Sequence, residues 1–305
     1  MTEYQRLEFS RSISSHAAPV PSCAISRDGQ WLVSASFDKT LKIWDIQNLE
    51  TPPTVLAGHT DFISQCAISP DGKWIVSGSY DKSLRIWNKE MRQEQMTLTG
   101  HSSWVNTCAI SPDGAYIVSG SLDCTLRLWK MLSANSYLTL IGHKAGVKCC
   151  AFSPDKRYAI SGGTMGRIFF WDIDTGKDVQ MIVGHSAAVT DCAVSPDNCW
   201  IVTGSRDQSL KIWDTESGQL KMSLIGHTAG VTSCRVTPDG RWIVSTGRDK
   251  EVKVWNSETG KCHWTFNCDE LLLGCAISGD DIVTSGSRGG LFWLRLVPKD
   301  NDYGL

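Results

Sequence analysis

The chain is expected to fold as an all-β molecule, a seven-bladed β-propeller of four-stranded antiparallel blades, closed by an N-terminal strand that completes blade seven. Three observations carry that expectation. Gly-His pairs recur every 42 residues, at Gly58-His59, Gly100-His101, Gly142-His143, Gly184-His185 and Gly226-His227, and Trp87, Trp129, Trp171, Trp213 and Trp255 keep the same step. A period of that length is the signature of a propeller blade. Each period holds four short β-forming runs separated by turn residues. A cysteine marks the first run seven times, at Cys23, Cys66, Cys108, Cys150, Cys192, Cys234 and Cys275.

The second unit shows the order of elements. Cys66-Ala-Ile-Ser leads to a Pro70-Asp71-Gly72 turn, then Trp74-Ile-Val-Ser-Gly-Ser, a Tyr80-Asp81-Lys82 turn, Leu84-Arg-Ile-Trp87, a polar stretch and a last short strand. Units defined this way fall near residues 17–58, 59–100, 101–142, 143–184, 185–226, 227–267 and 268–297, making residues 1–305 a single propeller. No segment keeps a 3.6-residue apolar period over helical length. The seventh unit ends near Leu296 after three runs, while Leu7-Glu-Phe-Ser-Arg-Ser-Ile13 precedes the first unit. Segment 4–14 is therefore expected to supply the missing fourth strand, because an open ring would leave backbone donors and acceptors exposed along an edge.

Composition narrows the function classes. Hydrophobic residues make up 41% of the 305 positions, enough for a core, and 30 Lys and Arg against 32 Asp and Glu give a net charge of −2. A near-neutral chain has no general attraction for phosphate backbones or anionic lipid. The opening MTEYQRLEFSRSISS lacks the apolar stretch of roughly 7 to 15 residues that a secretory signal needs, and no run of about 18 apolar residues occurs. The expected location is cytoplasmic, with the nucleus left open, and no membrane insertion is expected. Seven of the twelve cysteines have a repeat explanation as small core fillers at an inward position of each innermost strand. Cys124, Cys149, Cys199, Cys262 and Cys268 show no CxxC spacing, and Cys262-His263 with Cys268 lacks a fourth zinc ligand. Free thiols, no metal and no cofactor are expected.

In each regular unit Gly-His is followed 22 residues later by a turn Asp and 6 later by Trp, as in His59, Asp81 and Trp87. From about Leu7 to Leu296 the chain resembles the WD-repeat family. That resemblance implies a hydrogen-bonded tetrad of His, strand Ser or Thr, Asp and Trp inside each blade. Complete sets occur as His16, Ser34, Asp38 and Trp44; His59, Ser77, Asp81 and Trp87; His101, Ser119, Asp123 and Trp129; His185, Thr203, Asp207 and Trp213; and His227, Ser245, Asp249 and Trp255. Ser, His and Asp together invite a catalytic reading. Five equivalent copies instead describe buried polar groups that satisfy one another, so no catalytic residue is assigned. Blade four carries Met165 where the turn Asp belongs; blade seven is read with Gly289 there and with Trp293 out of step.

The resemblance places the loop after Gly-His and the Asp turn at one mouth of a central channel, where partners of the family often dock. Just before the turn Asp or its substitute stand Phe37, Tyr80, Leu122, Thr164, Arg206, Arg248 and Arg288. Four residues before the first-strand cysteine, Phe62 and Trp104 occupy blades two and three, and Lys148 sits two before it on blade four. An aromatic arc on blades one to three would thus face an arginine arc on blades five to seven. Aromatic and arginine side chains dominate protein-interface hot spots, and guanidinium forks suit carboxylate or phosphate. The expected function is a non-catalytic scaffold that binds other proteins or peptides at this rim, possessing no small-molecule substrate and being monomeric in itself. Alternatives are a sensor propeller within a larger signalling assembly and, less favoured by the charge balance, nucleic-acid binding through Lys148 and the arginines.

Overall fold

The computed structural model describes residues 4–298; positions 1–3 and 299–305 of the single-domain reading lie outside the described residues. Seven four-stranded antiparallel sheets form among them, without a helix. No helix long and apolar enough to cross a membrane is therefore present among the described residues. Blade two is representative, with strands Ile63–Ile68, Trp74–Ser79, Leu84–Asn88 and Gln93–Leu98 running from the axis outward. Its turns use local side-chain chemistry. Ser69 Oγ donates to Asp71, whose carboxylate accepts from the Lys73 amide, and Ser69 Oγ in turn accepts from the Trp74 amide. Such short polar side chains satisfy a turn's backbone without help from elsewhere.

Blade seven is assembled from both ends of the chain. Its strands Leu272–Ser278, Asp281–Gly286 and Gly290–Pro298 are completed by Tyr4–Ser14, which pairs antiparallel with the third, placing Leu7 opposite Leu296 and Ile13 opposite Leu291. Tyr4 Oη also donates to Asp280 at 2.5 Å. The ring is closed by backbone pairing.

The hydrophobic core is seven layers, one between each pair of neighbouring blades. Between blades one and two, Val33, Leu41 and Leu56 meet Ile63, Cys66, Ile75 and Trp87. Strand alternation explains the arrangement: the two faces of every second and third strand both touch a neighbour, so these strands carry apolar residues on both faces. The seven repeat cysteines sit inside these layers. The inward reading of them is corrected here: they pack between blades, and the residue before each one faces the channel instead, because adjacent residues of a strand point to opposite sides.

Inside five blades the four polar residues form one connected chain. In blade five, Trp213 Nε1 donates to Thr203 Oγ1 at 2.8 Å, Thr203 Oγ1 and His185 Nε2 lie 2.8 Å apart, and His185 Nδ1 lies 2.8 Å from Asp207. A carboxylate only accepts, so Nδ1 carries the proton and Nε2 accepts from the hydroxyl. The sets built on His16, His59, His101 and His227 repeat this geometry within 0.1 Å. Blade four keeps three members, with His143 and Trp171 both on Ser161. Phe169 packs against the His143 ring at 4.5 Å. Replacing Asp207 with Ala strands the His185 N–H inside the blade and is expected to cost about 2 kcal/mol in chemical denaturation, with an unchanged fold by circular dichroism.

These buried imidazoles make the fold acid-sensitive. Burial, together with the Arg167 charge, brings His143 down from 6.5 to about 4, and burial likewise lowers His16, His101, His185 and His227 against the pull of their aspartates. A histidine with a folded pKa below its unfolded value takes up a proton on unfolding once the pH drops below about 6.5, so its contribution is whole above that pH and lost on the way down. Burial opposes the charge of Asp207, but bonds from Ser209 and His185 outweigh it and bring its carboxyl to about 2, removing further stability below the ordinary carboxylate range. The melting temperature should be level near neutrality and fall steadily from about pH 6.5 to 4. A flat profile over that range would contradict neutral tetrad histidines.

Candidate functional site

The central channel opens at the mouth into a cavity of about 380 Å³. Two positions of each innermost strand build its wall, together with the residue before the turn Asp on blades one, two, five and six. Phe37, Tyr80, Lys148, Arg206 and Arg248 all line it. Phe62 and Trp104 stand just outside and stack on the lining rings. Phe37 lies 4.7 Å from Phe62 with near-parallel planes, and Tyr80 lies 4.4 Å from Trp104, with Phe62 and Tyr80 6.1 Å apart. Within a blade the amide of Tyr80 donates to the Phe62 carbonyl and that of Leu122 to the Trp104 carbonyl, and between blades one and two the Ile63 amide donates to the Ser36 carbonyl beside the Phe37–Phe62 stack. Tyr80 is thus held beside Phe62 of its own blade while its ring stacks on Trp104 of the next.

Phe62, Trp104 and Leu122 are exposed, as are Arg206 and Arg248, while Lys148 is half-buried. Burial, and the neighbouring Arg206 charge, lower the Lys148 pKa. None of the three cations has an anionic partner among the described residues.

Arg288 does not belong to this ring. The left-handed turn position is held by Lys39, Lys82, Cys124, Gly166, Gln208, Lys250 and Gly289 in successive blades. Gly289 therefore matches the residue after the turn Asp, Arg288 takes the Asp place, and Ser287 occupies the position of Arg248 and lines the cavity. The Ser287 amide accordingly donates to the Leu271 carbonyl, as that of Arg248 does to Gly230. The turn before Asp281–Gly286 is two residues shorter than in the regular blades, since Cys275 pairs with Thr284 nine positions on where Cys66 pairs with Ser77 eleven on, and the expected Gly289 therefore lies one past the Asp place. The same shortening puts Leu294 where other blades have the tetrad Trp, and turns Trp293 toward blade one. Thr284 Oγ1 and Trp293 Nε1 consequently lack hydrogen-bond partners. Glu270 takes up the space of the missing imidazole and accepts from the Arg288 amide.

Two channel residues escaped sequence reading. The residue after each repeat cysteine is Ala24, Ala67, Ala109, Ala151, Ala193 and Ala276, but Arg235 on blade six. Arg235 Nη1 donates to Asp191 at 2.6 Å and to the Cys234 carbonyl at 2.7 Å. Asp191, one before its cysteine, also accepts from Ser233 Oγ and the Cys234 amide. The signal was present as the one break in an alanine column, but the partner 44 residues away was not.

Comparison with known proteins agrees with the architecture. Residues 19–221 match the family model described as the IFT122 first beta-propeller, and residues 218–256 match the WD domain, G-beta repeat. A 39-residue stretch is 49% identical to the human WD repeat, SAM and U-box domain-containing protein 1, covering 13% of this chain and 8% of that protein's length. Propellers of this kind are generally non-catalytic and bind other proteins. With a family model matching two thirds of its length, seven four-stranded blades and the repeated tetrad, the chain belongs to the WD-repeat β-propeller family.

Proposed function

We propose that the protein is a non-catalytic scaffold whose channel mouth holds a partner protein or peptide, with an apolar stretch of the partner on blades one to three and an acidic or phosphorylated stretch on blades four to six. One observation carries the reading: Phe37, Phe62, Tyr80 and Trp104 form a continuous aromatic stack on one side, and Lys148, Arg206 and Arg248 stand without anionic partners on the other. Buried aromatic anchors supply affinity, while guanidinium groups supply register and bidentate recognition.

The test compares partner capture by the wild type with capture by Trp104→Ala and by a variant in which Lys148, Arg206 and Arg248 are replaced together with Gln. Each is expected to weaken a partner by about 2 kcal/mol, or more than tenfold, with melting temperature unchanged. Equal binding by wild type and both variants would remove this face from the function. Equal loss with every anionic peptide, acidic or not in its neighbouring apolar half, would leave the cations and withdraw the aromatic anchor.

A further inference from the structure

We infer that the channel below the mouth is a well that binds a compact polyanion, a phosphate ester or polycarboxylate group, on Arg235, Lys148 and the mouth arginines. This goes beyond the rim reading, since a partner lying across the rim need not enter the well.

Charge is the first ground. The cavity wall carries four cations, Lys148, Arg206, Arg235 and Arg248, against the single carboxylate of Asp191, in a chain whose total charge is −2. Geometry is the second. Arg235 stands where the other six blades carry alanine, and it lines the same cavity as Lys148, Arg206 and Arg248. Its bond to Asp191 on the neighbouring blade fixes the guanidinium at the cavity wall. Its donors are the third. Both Arg235 bonds use Nη1, which leaves Nε and Nη2 without a protein partner among the described residues, in a side chain still 29% exposed. Asp191 holds the group in place without using up its fork. A fixed guanidinium with free parallel donors is the geometry that takes an oxyanion in two bonds. The volume, about 380 Å³, is that of a small-molecule site and too small for a folded segment.

Such a group arrives either free in solution or on a partner side chain, and inorganic pyrophosphate and a phosphoserine pentapeptide, glycine at the other four positions, distinguish the two. Calorimetry on the full chain should give one site, with the free source indicated if pyrophosphate binds more tightly and the side-chain source if the peptide does. Arg235→Gln and Lys148→Gln should each weaken the tighter probe by about tenfold or more, while Lys73→Gln, on a turn at the opposite end, changes nothing. Arg235→Gln leaves Asp191 unpaired and can harm folding, so the wild type supplies a second readout. Bound probe should slow acetylation of Lys148 several-fold and leave Lys73 unaffected. No binding of either probe, or binding indifferent to Arg235 and Lys148 with unprotected Lys148, overturns the well; the Trp104→Ala arm of the rim test, which touches no well residue, still decides the rim reading.

Discussion

Deleting residues 4–14 is expected to lower unfolding free energy by about 5 kcal/mol or more, the sum of a lost strand ladder and its apolar contacts. Nine residue pairs join Tyr4–Ser14 to Gly290–Pro298, and the deletion would strip them all. Leu7 and Tyr4 leave the layer between blades six and seven, and Ile13 leaves the layer between blades seven and one. The exposed third strand would present Phe292, Leu294 and Leu296 beside unpaired backbone groups, a template for association. Blade seven is already the weak unit, lacking the tetrad, so little remains to hold it. The truncated chain should melt far lower and run as aggregates in size-exclusion chromatography. A melting temperature equal to that of the full chain would show that closure does not depend on this strand.

The next largest effect is expected from the smallest side-chain change, Gly184→Ala, at about 3 kcal/mol or more. A Cβ at Gly184 would lie 1.8 Å from Cη2 of Trp213, and equivalent positions at Gly58, Gly142 and Gly226 come within 3.0 Å of their tetrad indoles. The indole edge covers the glycine Cα in each case. Trp213 has no room to retreat, since it is buried between blades four and five and its Nε1 is bonded to Thr203. Moving it breaks the tetrad from the tryptophan end. Gly279→Ala is the control, because nothing lies within 4 Å of that Cβ, although its φ of +56° adds a strain of about 1 kcal/mol. Urea unfolding of both variants decides the matter. If Gly184→Ala proves no worse than Gly279→Ala, close approach to the indole is not why glycine precedes histidine.

The repeat alone determined most of the architecture, because each blade is specified locally. Turn chemistry such as Ser69 with Asp71, strand alternation and the 42-residue step all lie within one unit. The tetrad spacing was legible for the same reason, with His and Asp 22 residues apart in a single blade. What only the tertiary structure decided are relations between units. Whether a cysteine faces the channel or the neighbouring blade depends on strand parity against the whole ring, and one residue changes the answer. The register of blade seven depended on a shortened turn and on pairing with residues nearly 290 positions earlier in the chain. Phe37, Phe62, Tyr80 and Trp104 were visible as scattered aromatics, but the Phe37–Phe62 and Tyr80–Trp104 stacks each join two neighbouring blades. Asp191 and Arg235 meet because the inner strands of blades five and six pack side by side, a relation between units that no single repeat encodes.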